Sequence, residues 1–210
     1  MQLPKPYYQD DACTIYHGDC RDILPLLPKV DLVLTDPPYG IGRDGKPKST
    51  SSHGGHKGYA FGGWDKEAPS EDTLRLVLGA ANDSIFWGAN YYPSVFNSSP
   101  GWLLWDKGQR IDQADGELAF STRKGPLRIF ILNRVALAQD GAVHPTQKPE
   151  ALMRWCLNFF PNAQTILDPF MGSGTTLLAA KNLGRKAIGI ELSKEYCDIA
   201  IKRLRQEILL

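Results

Sequence analysis

The sequence predicts an α/β protein built on a largely parallel, doubly wound sheet, and three observations carry that prediction. Residues 13–35 read as strand, short helix and strand, the βαβ unit that forces its two strands parallel. Residues 165–191 give a second strand–helix–strand unit, with glycines between its first strand and its helix. Each unit also ends a strand on residues suited to chemistry rather than packing. These are Asp36-Pro37-Pro38-Tyr39 after the first, and the run from Asp168 to Thr176 inside the second.

In chain order, residues 13–17 form a strand ending at Gly18-Asp19, and residues 21–27 a short helix stopped near Pro28. Residues 31–35 are an apolar strand, too short for a helix and closed by two prolines. Residues 40–63 hold eight glycines and a Ser/Thr run, and they read as a mobile basic loop reaching about residue 64, anchored by Tyr59, Phe61 and Trp64. A helix is expected over 71–79, then strands at 84–87, 102–105, 117–121 and 127–132, the last taken as a core strand. Residues 150–160 form a helix with Pro149 at its first turn and Leu152, Trp155, Cys156 and Phe159 on one face. Residues 165–168 are a strand, 174–183 a helix and 186–191 a strand. Ser193 then caps a final amphipathic helix carrying Tyr196, Ile199, Ala200 and Leu204.

Bulk properties narrow the class. A chain of 210 residues with 42% hydrophobic content fits one domain spanning 1–210. No apolar stretch approaches the ~20 residues of a membrane helix, and the first residues carry no apolar signal region, so a cytoplasmic protein without a membrane partner is expected. Cys13, Cys20, Cys156 and Cys197 are scattered and read as reduced core residues; His53 and His56 have no nearby cysteine partner, so no metal is expected. The formal net charge is only +1, but it is unevenly spread. Arg43, Lys46, Lys48 and Lys57 face only Asp44 within 40–64. Lys107, Arg110, Arg123, Lys124, Arg128 and Arg134 face Asp112, Asp115 and Glu117 within 107–134. Such patches are either solvated surface or a surface for a phosphate backbone, and Arg43, Lys46, Lys48, Lys57, Lys107, Arg110, Arg123 and Lys124 are the candidate DNA contacts.

The glycine run suits an adenosine-bearing cofactor. Asp168 ends a strand, Gly172-Ser173-Gly174 leads into a helix, and the next strand ends in Glu191, an acid placed to accept hydrogen bonds from both hydroxyls of a ribose. No Gly-Lys-Ser/Thr follows, which argues against a Walker loop, and Leu177 stands where a nicotinamide fingerprint needs its third glycine. The other reading is a ligand-free strand-to-helix turn.

The segment Asp36-Pro37-Pro38-Tyr39 suits a conjugated exocyclic amine. Such an amine is a poor nucleophile until its hydrogens are drawn off, and an Asp carboxylate plus a backbone carbonyl can accept both. Two prolines stiffen the backbone that aims these acceptors. Tyr39 can stack on a base, worth roughly 1–3 kcal/mol in single-strand binders. The bland reading is a surface turn with a packing tyrosine.

Taken together, these segments resemble the DNA amino-methyltransferases, specifically the permuted β group of adenine-N6 and cytosine-N4 enzymes, over nearly the whole chain. The resemblance implies a Rossmann-like class I methyltransferase fold: a circularly permuted, seven-stranded, mostly parallel sheet with helices on both faces. It implies S-adenosylmethionine as cofactor, double-stranded DNA as substrate and base flipping. Asp36, Pro37, Pro38 and Tyr39 match the catalytic tetrapeptide in the form associated with adenine; cytosine enzymes more often begin it with Ser. Asp19 and Cys20 match the strand end that contacts the cofactor's base. Residues 144–149 resemble the segment before the cofactor loop, which makes Thr146 and Lys148 contacts near the methionine carboxylate. Asp168, Phe170, Gly172, Ser173, Gly174, Thr175 and Thr176 match the cofactor loop, and Glu191, followed by Leu192, the ribose acid. A homodimer and a restriction endonuclease are partners the resemblance allows.

One departure stands out. Relatives place a substantial recognition region between the strand near Ser121 and the His144 segment, and here the region over 107–143 is very short. A short site or loose sequence preference follows as an expectation. Alternatives are cytosine-N4 methylation, an RNA or protein-amide methyltransferase (in which the cofactor loop normally precedes the tetrapeptide), and a non-catalytic nucleic-acid module of the same fold.

Overall fold

The computed structural model describes residues 2–40, 68–96, 98–108, 114–133 and 147–206. The strands are β1 (Tyr8–Gln9), β2 (Cys13–His17), β3 (Val30–Thr35), β4 (Ala81–Trp87), β5 (Leu103–Asp106), β6 (Gly116–Ser121), β7 (Arg128–Ile131), β8 (Thr165–Asp168) and β9 (Lys186–Glu191). The helices are α1 (Cys20–Ile23), α2 (Glu71–Gly79), α3 (Glu150–Leu157), α4 (Thr175–Asn182) and α5 (Lys194–Arg205). The nine strands among the described residues form one sheet in the order β1-β2-β9-β8-β3-β4-β6-β5-β7.

From β2 to β4 every pairing is parallel, while β6 runs antiparallel between β4 and β5. The two βαβ units wind away from a central seam: β3 leads through α2 to β4, and β8 through α4 to β9. Leu32 lies opposite Ile166 and Val33 opposite Leu167 across that seam. At its start, the Asp31 carboxylate accepts the Gln164 and Thr165 amides at 2.9 and 2.8 Å. At its other end the Thr35 hydroxyl donates to Asp168 Oδ1 at 2.7 Å. A seam between oppositely wound units opens a crevice at the carboxyl ends of its strands.

The strands are apolar on both faces because helices cover both. Leu32, Leu34, Ile85, Trp87 and Ile166 face α3, α4 and α5, through Leu152, Cys156, Leu177, Ala180, Cys197 and Ala200. Val33, Phe86 and Leu167 turn the other way, towards Ile23 of α1 and Leu74 and Val77 of α2. This period-two division is the pattern of a sheet buried on both sides. Ser70 caps α2, accepting from the Thr73 amide at 3.2 Å, and Ser193 caps α5, accepting from Tyr196 at 3.4 Å. All four cysteines are buried thiols. Among the described residues no helix is long and apolar enough to cross a membrane.

Two expectations need correction. The sheet has nine strands among the described residues rather than seven, because β1 and β7 extend it at opposite edges. The segment 127–132 is not a core strand. Its strand β7 pairs only with β5 among the described residues, and Leu127, Ile129 and Ile131 are 45%, 54% and 71% exposed. Phe130 instead turns inward, its ring 5.4 Å from Trp155. Trp102 and Trp105 both pack inside, Trp105 buried and Trp102 edge-on to Phe120 at 6.0 Å.

Candidate functional site

The loops that follow β2, β3, β8 and β9 surround a cavity of about 760 Å3 at the carboxyl edge of the parallel strands. Asp36 from the first motif and the Asp168–Thr176 loop from the second share its wall, although 132 residues separate the two aspartates. The seam explains this: β3 and β8 are neighbours, so their final residues emerge together.

On one side lies the glycine loop. Gly172 sits at φ +50°, open to glycine rather than to most residues, and its amide donates to Glu191 Oε2 at 3.0 Å. The Ser193 amide donates to Oε1 at 2.8 Å. Burial pushes the Glu191 carboxyl up, and these amides pull the other way. Gly174 does not line the cavity. A Cβ there would fall 2.8 Å from Ala200 Cβ, so this glycine lets α4 approach α5. Phe170, Ser173, Thr175, Thr176 and the exposed Leu192 do line it. Asp168 is buried in the floor, where desolvation lifts its carboxyl to about 6 against the hydroxyls of Thr176 and Thr35 and the Phe170 amide. Asp19 caps α1 through the Arg21 amide and pairs with the Arg21 guanidinium at 2.5 Å, an interaction that holds its carboxyl below the usual range. Cys20 beside it is buried yet reaches the wall.

Sequence reasoning missed Arg203, whose guanidinium on α5 donates to Ser173 O at 2.7 Å, Ser173 Oγ at 3.1 Å and Thr175 Oγ1 at 3.0 Å. A cation in the last turn of a helix reads as a complement to the helix dipole, so nothing in the sequence ties it to a loop 30 residues earlier.

The other side holds the tetrapeptide. Asp36 Oδ1 accepts the Tyr39 hydroxyl, and Oδ2 takes the Lys148 ammonium. The Tyr92 hydroxyl donates to the Pro38 carbonyl. Tyr39 stacks on Tyr91 with centroids 4.7 Å apart and planes 16° from parallel. Its ring presses on Gly88, where a Cβ would lie 2.0 Å from Cε1. Sequence reasoning also missed Gly88, Tyr91 and Tyr92, although a Gly-Ala-Asn-Tyr-Tyr run directly after an apolar strand is the available signal. Pro37 is buried in the turn and is not part of the cavity wall.

Lys148 lines the cavity but spends its charge on carboxylates: Asp36, and Glu117 Oε2 at 2.9 Å. Lys107 pairs with Glu117 Oε1 at 2.5 Å and is 1% exposed. It therefore faces inward, which corrects its reading as a DNA contact. Arg123 and Lys124 are also misplaced for DNA at this cavity. Because β6 runs antiparallel to β4, its start lies at the cavity edge and its end at the opposite edge, where Thr122 bonds back to Asp83 and Ser84. Arg123 donates to the Pro126 carbonyl at 2.6 Å and covers the Phe159 ring. Arg43, Lys46, Lys48, Lys57, His53, His56, Tyr59, Phe61, Trp64, Arg110 and Thr146 lie outside the described residues.

The cavity wall is acidic, with Asp19, Asp36, Asp168 and Glu191 against Arg21 and Lys148, a balance that suits a cationic small molecule. Comparison with known proteins points the same way. A family profile for DNA methylase matches residues 104–202. The chain is 30% identical to the type II methyltransferase M2.LlaDCHI of Lactococcus lactis subsp. cremoris, over 97% of this chain and 93% of that one. It is 27% identical to the type II methyltransferase M.ScaI of Streptomyces caespitosus, over 98% and 85% of the two chains. The Lactococcus alignment spans 254 positions while 97% of this 210-residue chain supplies about 204, so about 50 positions have no counterpart here. Among solved structures, that of the M1.HpyAVI–SAM complex matches with a TM-score of 0.65 and 27% identity, covering 91% of this chain and 100% of that one. PvuII DNA methyltransferase, described as cytosine-N4-specific, shares the fold with a TM-score of 0.64 at 15% identity, over 98% and 91% of the two chains.

Proposed function

Since the chain belongs to the DNA methylase family of N6/N4 amino-methyltransferases, we propose that it methylates the exocyclic N6 of adenine in double-stranded DNA, with Asp36 as the principal acceptor for the amine. Membership itself makes it an S-adenosylmethionine-dependent DNA methyltransferase. The choice of base and the roles of individual residues are the proposal.

The residues present fit the cofactor. A cavity of about 760 Å3 lies within the range of small-molecule sites, and its acidic wall complements a sulfonium. Glu191 would hold the ribose hydroxyls, Asp19 and Cys20 the purine edge, and Phe170 with the loop 172–176 the remainder. When bound, the cofactor supplies an electrophilic methyl group.

The chain's own residues do the rest. The Asp36 carboxylate and the Pro38 carbonyl, the latter fixed by Tyr92, are the acceptors aimed at the two amine hydrogens. Drawing on those hydrogens raises electron density at nitrogen. The proton that nitrogen loses after it gains the methyl passes to an Asp36 carboxylate oxygen. Tyr39, held by Gly88 and with one face on Tyr91, does not line the cavity itself; its hydroxyl steadies Asp36, and a flipped base would stack on its other face. A base in a duplex cannot reach a recessed carboxylate, so flipping is required.

The observation that carries this reading is the shared wall of Asp36 and the glycine loop, with an Asp rather than a Ser opening the tetrapeptide. Incubation of the protein with tritiated cofactor and unmethylated DNA, followed by nucleoside analysis, should give N6-methyladenine. N4-methylcytosine would shift the assignment to the other base, and transfer only to RNA or protein would end it. Asp36→Ala should retain cofactor binding while losing transfer. The short stretch between β6 and residue 144 supports a short or degenerate target, testable on a panel of random duplexes; strict modification of one long motif would refute it.

A further inference from the structure

A line of charges runs from Asp36 away from the cavity into the antiparallel part of the sheet. Lys148, just before α3, places its ammonium on Asp36 Oδ2, 3.3 Å from the Tyr39 hydroxyl and 2.9 Å from Glu117 Oε2. Glu117, the second residue of β6, gives its other oxygen to Lys107, directly after β5, at 2.5 Å. Four side chains from four segments thus alternate in sign, and the two lysines at their centre and end are 5% and 1% exposed. Buried ion pairs seldom repay their desolvation, so such a line beside a reactive carboxylate calls for a role. Lys148 lines the cavity, yet its ammonium makes its contacts with Asp36, Glu117 and Tyr39.

Glu117 Oε2 adds a second clue. It lies 2.9 Å from the Lys148 ammonium, which therefore sits between two carboxylates. A small swing of the ammonium towards Glu117 would uncover Asp36 Oδ2.

We propose that Lys148, Glu117 and Lys107 are positioning residues for the Asp36 acceptor. Lys148 keeps the carboxylate ionised and oriented, and Glu117, backed by Lys107, draws the ammonium aside when a target amine takes over Oδ2. This rests on the reading of Asp36 as amine acceptor. The groups that face Asp36 are Tyr39 from its own turn, Lys148 before α3, Glu117 from β6 and Asp168 from β8. Burial pushes the Asp36 carboxyl up, Lys148 opposes that, and Glu117 adds to it. Removing Lys148 therefore raises the Asp36 titration, whereas removing the Glu117 charge lowers it and leaves Asp36, among the described residues, as the one carboxylate paired with the ammonium.

The test is a carboxyl-carbon NMR titration of aspartate-labelled protein, assigned with Asp36→Asn, beside calorimetric S-adenosylmethionine binding and single-turnover methyl transfer to DNA. Lys148→Met should move the Asp36 midpoint up by about one unit or more, and the near-isosteric Glu117→Gln should move it down. Cofactor affinity should stay within about threefold in both, while transfer in Glu117→Gln slows about tenfold or more. Midpoints that stay put, or that shift the same way in both variants, would overturn the proposal. So would loss of cofactor affinity in Lys148→Met with Asp36 unmoved, since Lys148 would then serve the cofactor. Should Lys148→Met fail to fold, the Glu117→Gln titration decides alone: a downward shift supports the clamp, and none refutes it. Opposite shifts without matching changes in transfer would uphold the clamp and refute Asp36 as the amine acceptor.

Discussion

Asp168 shows how a single buried carboxyl links stability to pH. Desolvation raises it from its ordinary 3.8 to about 6 in the folded state. The folded protein therefore holds its proton more tightly than the unfolded chain, and stability falls as pH rises from about 4 through about 6. Above that window the penalty is complete, about 2–3 kcal/mol for a shift of this size. Asp168→Asn keeps an oxygen for Thr35 and Phe170, so it should melt higher than wild type at pH 7.5, with the difference vanishing below pH 4 in thermal scans. Gly88 makes a different residue-scale prediction. Its φ of +67° and the Tyr39 ring against it exclude a side chain. Gly88→Ala should slow methyl transfer about tenfold or more through a displaced Tyr39, with cofactor affinity retained. The tetrapeptide and glycine loop are legible in the sequence because each is one continuous string with chemistry at every position. Gly88 is not, because its importance comes from a ring 49 positions earlier.

At the scale of elements, α5 stabilises the cofactor loop from behind. Arg203 ties its last turn to both ends of the Ser173–Thr175 segment, an arrangement that preorganises the loop. Arg203→Met should raise the cofactor dissociation constant about tenfold, a loss of about 1.4 kcal/mol, without changing the helix content seen by circular dichroism. The helix itself is readable from its apolar period and from Ser193, since both signals are local. Its service to a loop on the far side of β9 is not local, and no periodicity encodes it. The same holds for β6: its strand pattern is visible, but in the sequence Glu117 looks like one charge in a mixed surface patch. Only the antiparallel pairing with β4 brings the first residues of β6 to the cavity edge. That pairing also sends Arg123 and Lys124 to the other edge, so Lys124→Glu should leave DNA affinity and methylation unchanged in gel-shift and transfer assays.

For the whole molecule, the parallel core is predictable because βαβ units admit essentially one hand and one sense of pairing. The edges are not, since β1 has two residues and β7 carries apolar side chains it leaves exposed. With Lys107, Arg123 and Lys124 removed from the DNA-facing set, the remaining candidate basic residues are Arg43, Lys46, Lys48, Lys57 and Arg110. Neutralising the four in 43–57 should flatten the salt dependence of DNA binding, by roughly one unit of slope for each phosphate that is no longer paired.

The pairing of β2 with β9 has a consequence for how this protein is born. Cys13 lies beside Ala187 and His17 beside Glu191, so β2 waits for a strand made about 174 positions later. Contacts that far apart along the polymer slow folding and leave early segments without partners during translation. A ribosome-bound chain that has not yet exposed β9 therefore has no finished pocket, and the enzyme stays silent until β9 has emerged.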